Sequence, residues 1–155
     1  MGKNKLAKFA ELETFTNVFQ VKSGVLLGGE GFELKGKWNE QYFQNPNPIV
    51  LELGCGKGEY TVELARRFPD KNYIGVDIKG ARIWSGAKDA FMNEMRNVAF
   101  IRTNIEMIFH FFFFFFSQCP TDAFRQAADI GEDQQRAILF DQVLQPVHQR
   151  GRRDH

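Results

Sequence analysis

The chain has 155 residues and a mass of 17.9 kDa, which is the size of one globular domain. Its 43% hydrophobic and 25% charged residues are those of an ordinary soluble protein, and 20 Lys and Arg against 19 Asp and Glu leave a formal net charge of +1. This charge balance excludes a histone-like polycation and an acidic disordered tail.

The two cysteines, Cys55 and Cys119, lie far apart and have no Cys or His neighbours at the spacing of a metal site. The sequence therefore predicts neither a disulfide framework nor a metal centre, and it favours a reducing, cytoplasmic location. No stretch reaches the roughly 20 apolar residues that span a bilayer, and the first residues lack the apolar run of a signal peptide. We therefore expect no membrane association.

The hydrophobic pattern predicts a doubly wound α/β fold preceded by short helices. In chain order, the predicted elements are a helix over 3–12, a glycine-rich loop over 24–31, a helix over 35–43, a strand over 49–53, a helix over 59–68, a strand over 73–77, a helix over 80–95 and a strand over 98–102. The last five elements alternate between strand and helix. This alternation is typical of a parallel sheet in which ligands bind beyond the carboxyl ends of the strands.

The composition changes near residue 109. Seven of the 17 phenylalanines lie in 109–116, and residues 109–155 contain seven glutamines but no lysine. We hypothesise that this tail results from a reading-frame shift at a repetitive codon tract; the alternative is a genuine apolar helix or strand that ends in a polar amphipathic segment. Resequencing the DNA across the phenylalanine codons distinguishes the two, because an unambiguous in-frame tract in independent isolates would exclude the shift.

A glycine-rich turn, Glu52-Leu53-Gly54-Cys55-Gly56-Lys57-Gly58, follows the first buried strand. The dinucleotide motif G-x-G-x-x-G does not fit, because its third glycine would fall at Glu59, where a carboxylate would face the pyrophosphate. A Walker loop does not fit either, since glycine follows Lys57. A nucleoside ligand without phosphates is more compatible with this turn, and S-adenosylmethionine, whose sulfonium is cationic, is such a ligand.

Three polar residues lie at or near the ends of the three predicted strands. Glu52 lies inside an apolar strand, where an unpaired carboxylate is costly, so we expect a fixed partner such as a loop amide or a cationic ligand group. Asp77 ends the second strand and can accept hydrogen bonds from ribose hydroxyls, and Asn104 follows the third strand and can meet an adenine edge. The structural alternatives are a tight turn at the glycines, a helix cap at Asp77 and a simple turn residue at Asn104.

The same residues resemble the bacterial tRNA (guanine-N(7)-)-methyltransferase family. The similarity extends from Met1 to Phe109, and its more specific segments are Arg67-Phe68-Pro69 and Gly75-Val76-Asp77-Ile78-Lys79. The resemblance implies a Rossmann-like class I methyltransferase fold, S-adenosylmethionine as the cofactor, and tRNA as the partner. The implied reaction is methyl transfer to N7 of a guanosine in the tRNA variable loop. The cofactor-binding residues that it implies are Glu52, Gly54, Gly56, Asp77 and Asn104.

The chain departs from the family after residue 109. The fourth strand of the family ends in a Phe-Pro-Asp-Pro segment followed by a basic stretch, and residues 110–155 contain no equivalent. We therefore assign no catalytic residue, and Asp122 in particular is not given that role. The chain divides into an N-terminal extension with short helices (1–48), the cofactor-binding half of a methyltransferase domain (49–109) and an atypical tail (110–155). The alternative function is a non-catalytic cofactor-binding or RNA-interaction remnant, and the oligomeric state is left open.

Overall fold

The computed structural model describes residues 3–29 and 31–112. Their central feature is a parallel sheet of four strands, in the order β1-β4-β3-β2. The strands are β1 (Val18–Gln20), β2 (Ile49–Leu53), β3 (Asn72–Asp77) and β4 (Val98–Arg102). Because β2, β3 and β4 are neighbours and run in parallel, their carboxyl ends share one edge of the sheet. This confirms the predicted Rossmann-like α/β fold.

Four helices, α1 (Lys3–Leu12), α2 (Ser23–Leu27), α3 (Glu59–Arg67) and α4 (Gly80–Met92), accompany the sheet. Strands β2, β3 and β4 are buried on both faces, so their alternate side chains enter two separate apolar clusters. Helices α3 and α4 contribute Val62, Ala65, Ile83, Ala87 and Ala90 to one of these clusters. Each of these two helices connects consecutive parallel strands, which is the βαβ arrangement expected from the alternating pattern.

An aromatic layer covers the opposite face of the sheet. Trp38 is 1% exposed, and its indole Nε1 donates a 3.0 Å hydrogen bond to the carbonyl of Phe111. The ring of Phe112 stacks on Trp38 with the ring centroids 5.6 Å apart. Phe111 and Phe112, which belong to the phenylalanine-rich segment, are therefore core residues of the fold.

Several predicted elements agree with the structure, and others need correction. Helix α1 and strands β2 and β4 have the predicted bounds, whereas α3 and β3 differ from prediction by one residue at one end. Helix α4 stops at Met92 rather than at residue 95, because Glu94 adopts a left-handed conformation with φ 51°. The hypotheses on residues 113–155 fall outside the described residues.

The N-terminal extension differs most from its prediction. The predicted loop over 24–31 contains α2, a five-residue helix whose Leu26 is buried in the core. The predicted helix over 35–43 is instead a π-helix over Trp38–Phe43. Strand β1 was not predicted, because three residues are too few to show an alternating pattern, and it forms by pairing with β4. Tertiary contacts, rather than local propensity, determine these elements.

Candidate functional site

The glycine-rich turn after β2 requires its glycines. Gly54, Gly56 and Gly58 have φ angles of 76°, 57° and 72°, in the left-handed region that other residues avoid. The amides of Gly54 and Cys55 both donate to the carbonyl of Val76, at 2.7 and 2.9 Å. These two hydrogen bonds connect the start of the turn to the end of β3. The turn therefore lies at the carboxyl edge of the sheet.

Asp77 holds this turn in place from the end of β3. Its Oδ2 accepts a 3.0 Å hydrogen bond from the amide of Gly56, and its Oδ1 accepts a 2.8 Å bond from the amide of Lys79, the N-cap residue of α4. Asp77 thus has a structural role just before α4, although it is not the helix cap considered from sequence, because the N-cap residue is Lys79 and no side-chain hydrogen bond caps the helix. This role does not exclude ligand binding, because each carboxylate oxygen accepts more than one hydrogen bond and the side chain is half-buried.

Glu52 is more deeply buried than Asp77. It lies one residue before the end of β2, is 4% exposed, and accepts a hydrogen bond at Oε2 from the hydroxyl of Thr61 on α3. It also lines a cleft of about 380 Å³, within the range of about 300–1,000 Å³ typical of ligand pockets. The other residues that line this cleft are Cys55, Lys57, Glu59, Tyr60 and Arg82.

Asn104 lies at the same edge of the sheet but is exposed. It is the N-cap of a 3₁₀ helix over Ile105–His110, and its side-chain oxygen accepts a 3.3 Å hydrogen bond from the amide of Glu106. It lines a second cleft of about 710 Å³ together with Ile78 and Arg102. The structure thus brings Glu52, Asp77 and Asn104 to one edge, with Glu52 and Asn104 lining different clefts.

Cys55 lies in the glycine-rich turn and is 6% exposed, and its environment shifts the pKa of its thiol. Burial raises the pKa of its thiol, and the negative charges of Glu52 and Asp77 raise it further. The thiol is therefore protonated at neutral pH and suits packing better than nucleophilic attack.

Two further residues support the site and were not identified from sequence. Gly86 of α4 donates a 2.8 Å hydrogen bond to the carbonyl of Lys57, and a Cβ atom at Gly86 would lie 2.6 Å from that oxygen. Thr61 holds Glu52 as described above. A glycine inside a predicted helix was a usable signal for a close approach, whereas Thr61 carried no distinguishing signal in the sequence.

Within residues 3–29 and 31–112, no cluster of three or more His, Cys, Asp or Glu side chains is arranged to hold a metal ion. Among the helices of these two ranges, none combines the length and apolar character required to cross a membrane.

Residues 46–116 match a family model described as "Putative methyltransferase". This range contains β2, β3, β4 and the glycine-rich turn, and it extends through the phenylalanine-rich segment to Phe116.

Three similar proteins carry the name tRNA (guanine-N(7)-)-methyltransferase. The protein from Christiangramia forsetii is 64% identical over 111 residues, which are 72% of this chain and 49% of that protein. The protein from Bacteroides fragilis is 57% identical over 112 residues, 72% of this chain and 44% of the relative. The protein from Porphyromonas gingivalis is 58% identical over 102 residues, 65% of this chain and 42% of the relative. The chain thus spans less than half the length of these relatives.

Proposed function

We propose that this chain, whose N-terminal portion belongs to the tRNA (guanine-N(7)-)-methyltransferase family, binds S-adenosylmethionine at the shared carboxyl edge of β2, β3 and β4. The observation that carries this proposal is the placement of two carboxylates beside the glycine-rich turn, Glu52 in the cleft near the end of β2 and Asp77 at the end of β3, which makes this edge of the sheet negative. A negative field favours a ligand with cationic sulfonium and ammonium groups and disfavours a pyrophosphate. The donor and acceptor groups at this edge therefore suit S-adenosylmethionine better than a dinucleotide.

The spacing of the strands supports one assignment of roles. Neighbouring strands lie about 4.8 Å apart, so the ends of β2, β3 and β4 offer three successive positions across about 10 Å to different parts of one ligand. We assign Asp77, on the central strand of the three, to the ribose hydroxyls. Glu52 on one side is assigned to the methionyl ammonium, because a buried carboxylate favours an opposite charge. Asn104 on the other side is assigned to the adenine edge, with Gly54 and Gly56 shaping the pocket.

Two exposed apolar side chains fit the adenine end of this assignment. Ile78, which follows Asp77 directly, is 57% exposed, and Ile105, which follows Asn104, is 36% exposed. An exposed isoleucine is unremarkable alone, but these two adjoin the polar residues assigned to ribose and adenine. We therefore propose that they provide apolar contacts for the faces of the purine ring.

The proposed reaction is methylation of N7 of a guanosine in the variable loop of tRNA. When bound, S-adenosylmethionine supplies a methyl group on positively charged sulfur. The acceptor nitrogen has a lone pair and no proton, so the reaction requires no general base. We propose that Glu52, Asp77 and Asn104 contribute by holding the donor in one orientation, which is catalysis by proximity. We assign no catalytic residue, and we expect the protein to act in the cytoplasm, where tRNA is abundant.

Isothermal titration calorimetry on the full chain tests the binding proposal. S-adenosylhomocysteine and 5′-methylthioadenosine are matched probes, because both have an uncharged thioether sulfur and only the first has the charged amino-acid group. Glu52→Gln should weaken binding of S-adenosylhomocysteine about tenfold and leave 5′-methylthioadenosine unchanged, whereas Asp77→Asn should weaken both, as expected for hydrogen bonds to charged groups. Unchanged affinities in both folded variants would refute the site, as would tighter binding of NAD⁺ than of S-adenosylmethionine.

A methyl-transfer assay on an unmodified tRNA transcript tests the enzymatic part of the proposal. Incorporation of labelled methyl groups into 7-methylguanosine is the expected result. Binding of S-adenosylmethionine without any incorporation would instead favour the non-catalytic, cofactor-binding alternative considered from the sequence. A guanosine-to-adenosine change at the modified position of the transcript is the control for site specificity.

A further inference from the structure

Thr61 is a buried polar residue at the edge of the proposed cofactor site. It is the third residue of α3 and is 1% exposed to solvent. A buried hydroxyl requires a hydrogen-bond partner, and the partner of Thr61 is the Glu52 carboxylate on β2. We propose that Thr61 is a positioning residue, which orients the Glu52 carboxylate for the amino-acid end of the cofactor. This inference rests on the proposed function of the site.

The contact joins two elements that the turn connects. Glu52 is on the strand before the glycine-rich turn and Thr61 is on the helix after it, so their hydrogen bond closes the turn at its base. Holding one oxygen fixes the plane of the whole carboxylate, because the two oxygens rotate as one group. A carboxylate that is oriented before binding loses less entropy when the ligand binds.

The composition of α3 sets Thr61 apart from its neighbours. Val62 and Ala65 are also buried on this helix, and they pack in the apolar cluster against the sheet. Thr61 differs from them because its side chain carries a hydroxyl, which donates to Glu52. Glu52 lines its cleft together with Cys55 and Tyr60, so a ligand that enters this cleft would meet the oriented carboxylate.

The test is a comparison of Thr61→Val and Thr61→Ser with the original chain, by calorimetry with the same two thioether probes. Thr61→Val preserves the shape and removes the hydroxyl. It should weaken binding of S-adenosylhomocysteine about tenfold and change that of 5′-methylthioadenosine less than about twofold, since only the first probe carries the group assigned to Glu52. Thr61→Ser, which retains the hydroxyl, should restore the original selectivity. Thr61→Ala removes the hydroxyl without placing a methyl group beside the carboxylate, and it should show the same selectivity as Thr61→Val.

Val62→Ala is the matched control, because it disturbs the packing of the same helix without contacting the carboxylate. It should leave the ratio of the two affinities unchanged. An equal loss for both probes in Thr61→Val and Thr61→Ala, or no loss for either, would overturn the positioning role while leaving the proposed function intact. Failure of the original chain to bind either probe would overturn the proposed function and this inference together.

Discussion

Replacing Gly86 with alanine tests whether the glycine-rich turn depends on close contact with α4. Alanine in the interior of a helix is normally favoured over glycine by about 1 kcal/mol. Here the new Cβ would lie 2.6 Å from the carbonyl oxygen of Lys57 and 2.9 Å from Cα of Gly58. Both are backbone atoms, so the turn itself has to move rather than a side chain. Overpacking of this kind costs about 1–3 kcal/mol, and a weakened Gly86–Lys57 hydrogen bond adds about 1 kcal/mol.

The expected net effect of Gly86→Ala is therefore a loss of about 1–3 kcal/mol in the free energy of unfolding. Gly24→Ala in α2 is the matched control, because a Cβ atom there meets nothing within 4 Å. It should leave stability unchanged or raise it by up to about 1 kcal/mol. Urea denaturation followed by circular dichroism measures both variants. Gly86→Ala should also weaken S-adenosylmethionine binding, since the displaced turn carries the amide that Asp77 holds.

A Gly86→Ala variant as stable as Gly24→Ala would refute a steric requirement for glycine at this position. That result would mean that the turn and α4 separate without cost and that the glycine has no steric role. A stable Gly86→Ala variant that has lost affinity for S-adenosylmethionine would have another meaning. It would show that the geometry of the turn can change without a loss of stability of the fold.

Two further predictions concern residues outside the cleft. Trp38→Phe leaves the buried carbonyl of Phe111 without its 3.0 Å indole donor, so it should lower stability by about 1–3 kcal/mol in urea denaturation; an unchanged midpoint would contradict the packing of Phe111 against the aromatic layer. Hydrogen bonds from Lys88 and then Trp84 lower the pKa of Glu11 from its ordinary value. The contribution of the Glu11 carboxylate is therefore present at neutral pH and is lost as the pH falls through the lowered pKa of the folded state. Glu11→Gln should be less stable than the original chain at pH 7, and thermal melts should show this difference shrinking at acidic pH; a difference constant down to pH 3 would contradict the argument.

Strands β2, β3 and β4 were predictable because they are short apolar runs separated by helical patterns. The 49–53 and 98–102 patterns needed no tertiary information, because side chains buried on both faces make such runs conspicuous. Strand β1 and helix α2 were not predictable in this way. Three residues show no period, and Gly24 favours a loop unless the burial of Leu26 is known. Their structure depends on partners that are distant in sequence.

The positions of Glu52, Asp77 and Asn104 at one edge also followed from sequence, since the ends of successive parallel strands meet there. Their binding of a cofactor remains a prediction. What could not be predicted was their difference in environment: Glu52 is buried against Thr61, and Asn104 is exposed at a helix cap. Sequence order gives the edge of the sheet, but burial depends on how α3 packs against it.

This difference in environment has a consequence for how the site would bind its ligand. Asp77 is held by two backbone amides and Glu52 by a buried hydroxyl, so both carboxylates are oriented before a ligand arrives. Asn104 has an exposed side chain and a longer 3.3 Å contact, so its orientation is less constrained. Groups that are already oriented lose less entropy on binding. The ribose and amino-acid ends should therefore contribute more to affinity for each hydrogen bond than the adenine end, where Asn104 must be ordered by the ligand itself.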